Sequence, residues 1–249
     1  MFEGNIPDEV MTPEDIKLLI KSINDSRHQY EYWKSQQKLG YENGKHLYRW
    51  NYIFDNISKN FKKEPFKVYH VSRGALWEFA VIYNTESKIL FIILKENRFD
   101  GIKNSRDNLY HYVRVLNSKN YHFQREIEQQ ITMFDGLQVI SDETIDEDLE
   151  RMISEIKDEV AGCVNILFKE NVDGVYRISG NISNYELKLL KTYDWNDYIS
   201  ANIEEIEDTK VVDEKIPPKI ELNIRQDKVK QKKRLPMDGK KKSRENDDR

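Results

Sequence analysis

Along the N-terminal part of the chain, apolar side chains return every three or four residues. Ile16, Leu19, Ile20 and Ile23 fall at i, i+3, i+4 and i+7, the spacing of one helix face. Thr12-Pro13-Glu14-Asp15 precedes them. A hydroxyl N-cap, a proline at the first helical position and acids in the first turn together satisfy or complement the free amides of a helix start. Beyond Gly40 and the Asn43-Gly44 pair, a second apolar face runs through Leu47, Trp50, Ile53, Phe54 and Ile57 and stops near Phe61, ahead of Pro65. Two helices therefore precede any strand.

From Phe66 the period shortens. Val68 and His70, then Trp77, Phe79, Val81 and Tyr83, then Ile89 to Leu94 read as three antiparallel strands, the last two joined by the turn-like Asn84-Thr85-Glu86-Ser87. The run Ile89-Leu90-Phe91-Ile92-Ile93-Leu94 is apolar at every position, which predicts a central strand covered on both faces. Asn108 to Leu116 predicts a helix with Leu109, Tyr112, Val113 and Leu116 on one side, and a short helix is expected around Arg125 to Ile131. Ile145, Leu149, Met152, Ile153, Ile156 and Val160 predict another, with Asp142, Glu143, Asp146 and Asp148 near its positive end. Three more strands follow at Gly162 to Phe168, Val175 to Ile182 and Tyr185 to Thr192, with Asp173-Gly174 the stronger hairpin signal. Tyr193, Trp195 and Tyr198 are expected to fold back onto the core.

The expected class is α+β: N-terminal helices, an antiparallel sheet, further helices and a second small antiparallel sheet. One domain of residues 1–201 is expected, divisible into sub-units at 12–117 and 142–200. Residues 202–249 differ in kind. Glu204-Glu205-Ile206-Glu207-Asp208 is acidic, Pro217-Pro218 breaks periodicity, and Lys228 to Arg234 and Lys240 to Arg244 are basic. Ordering a residue costs about 1–2 kcal/mol, and this stretch offers little apolar surface to offset it, so a charged disordered tail is expected.

Composition sharpens this in three places. The apolar fraction of 38% and charged fraction of 34% reflect dilution by the tail, and a formal net charge of −4 argues against a surface that coats nucleic acid or anionic membrane. The single cysteine, Cys163, rules out an internal disulfide and sits in an apolar run without a basic neighbour, as a buried small hydrophobe would. No stretch approaches the roughly 20 apolar residues of a membrane span, and Met1-Phe2-Glu3-Gly4-Asn5 has no signal-peptide character, so no membrane association is expected and the cytoplasm is the default location.

Several chemistries are excluded or weakened by motif. None of the ten glycines forms a Gly-x-x-x-x-Gly-Lys or Gly-x-Gly-x-x-Gly loop, so nucleotide binding through those motifs is out and no cofactor is expected. His28, His46, His70, His111 and His122 are scattered, and no metal site is expected. A restriction-type nuclease needs an acid-x-lysine on a strand. Ile93-Leu94-Lys95 lacks the acid, and Glu86-Ser87-Lys88 sits in a turn. Arg106 and His111 have the Arg-x4-His spacing of HEPN-type ribonucleases, in which arginine stabilises developing charge and histidine moves the proton. About one such match is expected by accident in a chain of this composition, and HEPN domains are all-helical. In the tail, Lys230, Lys232, Lys233, Arg234, Lys240, Lys241 and Lys242 could hold a polyanion by counterion release, or serve only solubility, since no aromatic interleaves them to stack a base.

The stretch Ser72-Arg73-Gly74-Ala75-Leu76-Trp77-Glu78-Phe79, the later Lys95-Glu96-Asn97-Arg98-Phe99 and His111-Tyr112-Val113, and the closing Asp194-Trp195-Asn196-Asp197-Tyr198-Ile199 resemble an uncharacterised bacterial family, domain-of-unknown-function family 5986. The resemblance covers nearly all of the folded part and leaves out the tail. It implies a low-GC Gram-positive bacterium or its phages, often a mobile-element setting, and carries no known chemistry.

Arg73, Trp77, Glu78, Lys95, Arg98, His111 and Tyr112 each lie at a strand end or helix start, where they could converge on an anionic ligand or a partner's acidic loop. The structural alternative is internal: Glu78 pairing with an arginine while Trp77 and Phe99 fill the core. The expected function is a non-enzymatic protein-binding or regulatory protein of bacterial mobile-element or phage-conflict context, with a protein or anionic ligand as partner. The rivals are a metal-independent RNase-type toxin using Arg106 and His111, and nucleic-acid binding through the basic tail.

Overall fold

The computed structural model describes residues 6–37, 41–73, 77–105, 109–123 and 142–199. Two long helices come first, α1 (Pro13–Gln37) and α2 (Lys45–Asn60). Strands β1 (Phe66–Ser72), β2 (Glu78–Asn84) and β3 (Ile89–Lys95) follow, then helices α3 (Glu96–Asn104), α4 (Tyr112–Asn117) and α5 (Asp142–Ile153), and finally β4 (Gly162–Asn171), β5 (Gly174–Ser183) and β6 (Leu189–Asp194).

The start of α1 is as the sequence predicts. Thr12 Oγ1 accepts from the Asp15 amide at 3.2 Å and donates to its carboxylate at 2.7 Å, while Ile16, Leu19, Ile20 and Ile23 are buried. In α2 the expected stripe is only partly used. Ile53 and Ile57 are buried, but Leu47 is 55% exposed, and Arg49 and Asn56 are buried instead. Asn56 answers the Ser22 carbonyl and Gln29 of α1, so the two helices are joined by hydrogen bonds as well as by apolar contact.

All six strands form one sheet in the order β1-β2-β3-β4-β5-β6. The class is α+β, but the two separate antiparallel sheets expected from the sequence are corrected here: a parallel pairing of β3 with β4, from Ile89 opposite Gly162 to Lys95 opposite Phe168, fuses them. The remaining pairings are antiparallel. The cause lies in β3. A strand buried on both faces has no water to satisfy its edge N–H and C=O groups, so each edge needs a neighbour, and a chain returning after α3, α4 and α5 can approach the second edge in the parallel sense.

Side-chain alternation along β3 divides the molecule into layers. Ile89, Phe91 and Ile93 face α1 and α2, together with Val164, Ile166 and Phe168 of β4. Leu90, Ile92 and Leu94 face the α3, α4 and α5 layer, together with Cys163 and Leu167. Cys163 is fully buried, and burial pushes its thiol pKa up, as befits a packing residue.

Three helical predictions are revised. The segment after β3 forms α3 on only two buried apolar residues, Phe99 and Ile102. The helix expected from Asn108 begins at Tyr112, with His111 as its N-cap. The helix expected to reach Val160 ends at Ile153, although Ile156 and Val160 still pack in the core. The helix predicted near Arg125 to Ile131, residue Arg106, and the tail with its basic cluster lie outside the described residues.

Two local features fix the C-terminal strands. The β4–β5 hairpin turns through Val172-Asp173 into Gly174, whose φ of +125° a side chain would strain. At Gly180 a Cβ would sit 2.6 Å from the Trp195 ring, so Trp195 can fold flat across β5 only because position 180 is glycine. On the opposite face, Asn165 interrupts the apolar run of β4. Its amide exchanges hydrogen bonds with Asn117 at 2.9 Å in each direction and donates to Ser183 Oγ at 3.0 Å, while Asn120 accepts from the Cys163 amide at 2.7 Å. This buried network ties the end of α4 to β4 and β5.

Candidate functional site

Where β3 ends, the backbone turns directly into α3, with Lys95 both the last strand residue and the N-cap. Helical layers cover both faces of the sheet here, and the gap between them at the carboxyl end of β3 is a pocket of about 600 Å³. Open α/β sheets place ligands at carboxyl ends of this kind. Helix α2 lends His46 and Trp50 to the wall, the β1–β2 connection lends Arg73 and Trp77, β3 lends Ile93, Leu94 and Lys95, α3 lends Arg98, and α4 lends His111 and Tyr112.

Six of the seven residues singled out in the sequence thus meet: Arg73, Trp77, Lys95, Arg98, His111 and Tyr112. Glu78 does not. Neighbouring strand residues point to opposite faces, and with Phe79 buried under α4, Glu78 turns outward and pairs with His70, Nε2 to Oε2 3.1 Å, both exposed. It is not the arginine partner the internal alternative requires, although Phe99 is buried in the core as that alternative expects. The alternation that excludes Glu78 was present in the sequence. His46 and Trp50 carried a weaker signal, because in a helical stripe Trp50 is indistinguishable from a core residue.

The aromatic wall is continuous across the sheet end. The Trp77 ring meets Trp50 edge-on at 6.1 Å and 78°, and Phe54 at 6.3 Å and 79°. Tyr112 lies against Phe79 at 4.5 Å and against His111 at 4.6 Å. Burial pushes the Tyr112 phenol up to about 12; the charges of Arg98 and Arg73 and the neighbouring Trp77 donor pull it back only in part. Tyr112 therefore keeps its proton at neutral pH.

His111 is held uncharged for a related reason. Burial lowers its pKa to about 4, with the positive charges of Arg98, Arg73 and Arg114 adding to the effect. Its Nδ1 accepts from the Val113 amide at 3.3 Å, capping α4, so the remaining proton resides on Nε2.

The three cations differ in how they are held. Lys95 Nζ reaches Glu170 Oε1 at 2.9 Å, and the same carboxylate is gripped by Arg49. Arg73 donates its backbone amide to the Trp77 carbonyl at 2.8 Å, closing the β1–β2 connection, while its guanidinium lies 3.9 Å from Asp148. Burial, with the nearby charge of Arg151, lowers the Arg73 pKa. Arg98 is exposed and has no ion-pair partner among the described residues. Among the described residues no carboxylate lines the pocket. The arrangement offers hydrogen-bond donors and positive charge against an aromatic wall, the complement of an anionic group on a flat or apolar body.

A family described as of unknown function (DUF5986) matches residues 5–239. That match runs further toward the C-terminus than the motifs themselves, into the segment expected to be tail. No curated protein and no solved structure matches the chain.

Proposed function

The chain belongs to this family of unknown function, and from that premise we propose that it is a non-enzymatic binding protein, taking an anionic ligand or an anionic group of a partner in the pocket at the end of β3. The observation that carries this is the lining: Arg73, Lys95 and Arg98 beside Trp50, Trp77 and Tyr112, with no carboxylate among the described lining residues. Binding there would bridge both helical layers and the sheet, a position suited to regulation. The cytoplasm and a bacterial mobile-element context complete the reading, the latter carried by the family resemblance.

The test is thermal denaturation of the wild type and of Arg98→Gln against a panel of aromatic carboxylates and phosphates. Because Arg98 is exposed and without an ion pair among the described residues, the substitution should leave the unliganded midpoint unchanged and remove the ligand-induced rise. A panel that moves neither protein would reject the reading.

The rival ribonuclease reading draws on one feature, the presence of His111 in the pocket wall. Against it stands the use of His111 Nδ1 as a helix cap, which leaves only a protonated Nε2 for chemistry. Incubation of purified protein with RNA separates the two: cleavage lost on His111→Ala would favour the enzyme.

A further inference from the structure

Among the described residues every charged side chain lining the pocket is a cation, with Glu170 and Asp148 answering Lys95 and Arg73 from behind the wall, and the pocket's size and walls narrow what can answer the rest. This inference rests on the binding reading above. A volume of about 600 Å³ lies within the roughly 300–1,000 Å³ usual for small-molecule sites and is far more than a bare inorganic anion fills. Arg73, Arg98, His111 and Tyr112 line the same pocket, and the charges of both guanidiniums act on His111 and Tyr112. Every polar group they present there can donate: two guanidiniums, the neutral Nε2–H of His111 and the phenol O–H of Tyr112.

A carboxylate brings one charge and two oxygens, which Arg98 alone would satisfy. A phosphate monoester brings about −1.5 to −2 charges and three acceptor oxygens, enough to engage the whole group. Triphosphates are disfavoured, because they arrive with Mg²⁺, whose protein ligands are carboxylates, and none lines the pocket among the described residues. The edge-to-face pair Trp50 and Trp77 supplies the other half of the site: a flat ring and an adjoining edge on which an aromatic base can stack.

We propose that the pocket binds a nucleoside monophosphate without metal, its base against Trp50 and Trp77 and its phosphate between Arg98 and Arg73, whether free or as the terminal nucleotide of a strand. Such binding uses neither of the glycine-rich loops the sequence lacks. It also predicts a response in His111: a dianion placed beside the ring offsets the two guanidiniums and favours the imidazolium.

Tryptophan fluorescence titration of the full chain tests this with adenosine, guanosine, cytidine and uridine 5′-monophosphates, with adenosine and inorganic phosphate as controls. Each monophosphate should quench the emission, each control should bind at least about tenfold more weakly, and Mg²⁺ should not help. Arg98→Gln should weaken adenosine monophosphate binding by about tenfold or more. The His111 ring resonances should titrate at higher pH in the complex than in the free protein, a change a purely structural Arg98 would not produce. A 5′-phosphorylated dinucleotide binding more tightly than the mononucleotide assigns a strand end; equal or weaker binding assigns the free nucleotide. Adenosine binding as tightly as its monophosphate, or monophosphate binding indifferent to Arg98→Gln, overturns the proposal. If benzoate or an acidic peptide gives an Arg98-dependent response and no nucleotide does, the nucleotide class falls and the binding pocket stands. If no anion gives one, both fall.

Discussion

Arg49 holds Glu170 with both arms of its guanidinium, NH1 to Oε1 at 2.8 Å and NH2 to Oε2 at 2.6 Å, and both side chains are about 90% withdrawn from solvent. Burial alone would raise the Glu170 pKa, but the bonds from Arg49 and Lys95 outweigh it and the pKa is lowered. Glu170→Gln would leave a buried guanidinium whose Nε already has no partner. The expected loss is about 3 kcal/mol, read as a fall in the urea midpoint at unchanged slope. Lys95 would lose its partner in the same step, so anions should bind the pocket of this variant several-fold more tightly per folded molecule.

Protonation of His111 gives a pH dependence of opposite origin. Its folded pKa lies near 4, below the 6.5 of a free imidazole. Below pH 6.5 the unfolded chain takes up a proton that the folded chain refuses, so stability is lost as pH falls from about 6.5 to about 4 and then levels off. For a ring partly open to solvent the effect should be on the order of 1 kcal/mol. His111→Asn preserves an N-cap acceptor and should abolish this segment of the stability–pH curve.

The Asn165 network is predicted to specify the packing of α4. Asn165→Leu would leave the Asn117 amide and the Ser183 hydroxyl each short of a partner deep in the core. A loss of about 2–4 kcal/mol is expected, larger than for an exposed asparagine and measurable by chemical denaturation.

Gly180→Ala tests the fit of Trp195. The added methyl would meet the indole at 2.6 Å, and a rigid ring cannot yield as a flexible chain end does. A cost of about 1–3 kcal/mol is expected, with a red-shifted tryptophan emission if Trp195 lifts off β5.

What the sequence disclosed follows from how far each signal reaches. The β3 run announced its own burial on both faces, because that property is written at every residue from Ile89 to Leu94. Which strand would cover its far edge was not legible: pairing with β4 is decided by a segment more than sixty residues away, and nothing local encodes a parallel register. Helix α3 escaped because Phe99 and Ile102 are too few to mark a period against their charged neighbours. Asn165 was hidden for the converse reason, as a polar residue in an apolar strand whose partners Asn117 and Ser183 are distant in the chain. The residues meeting at the pocket were visible as strand ends and helix starts, while Trp50 was absorbed into a stripe that is only half core.

The parallel joint between β3 and β4 also has a consequence during synthesis. Every described residue lining the pocket lies between His46 and Tyr112, yet one edge of β3 has no neighbour until Gly162 to Phe168 has been made. A nascent or prematurely terminated chain ending before that point would present six apolar residues along an unpaired strand, a template for strand addition by other copies. The same run whose Ile93 and Leu94 line the pocket is, in a half-made molecule, a segment in need of a chaperone.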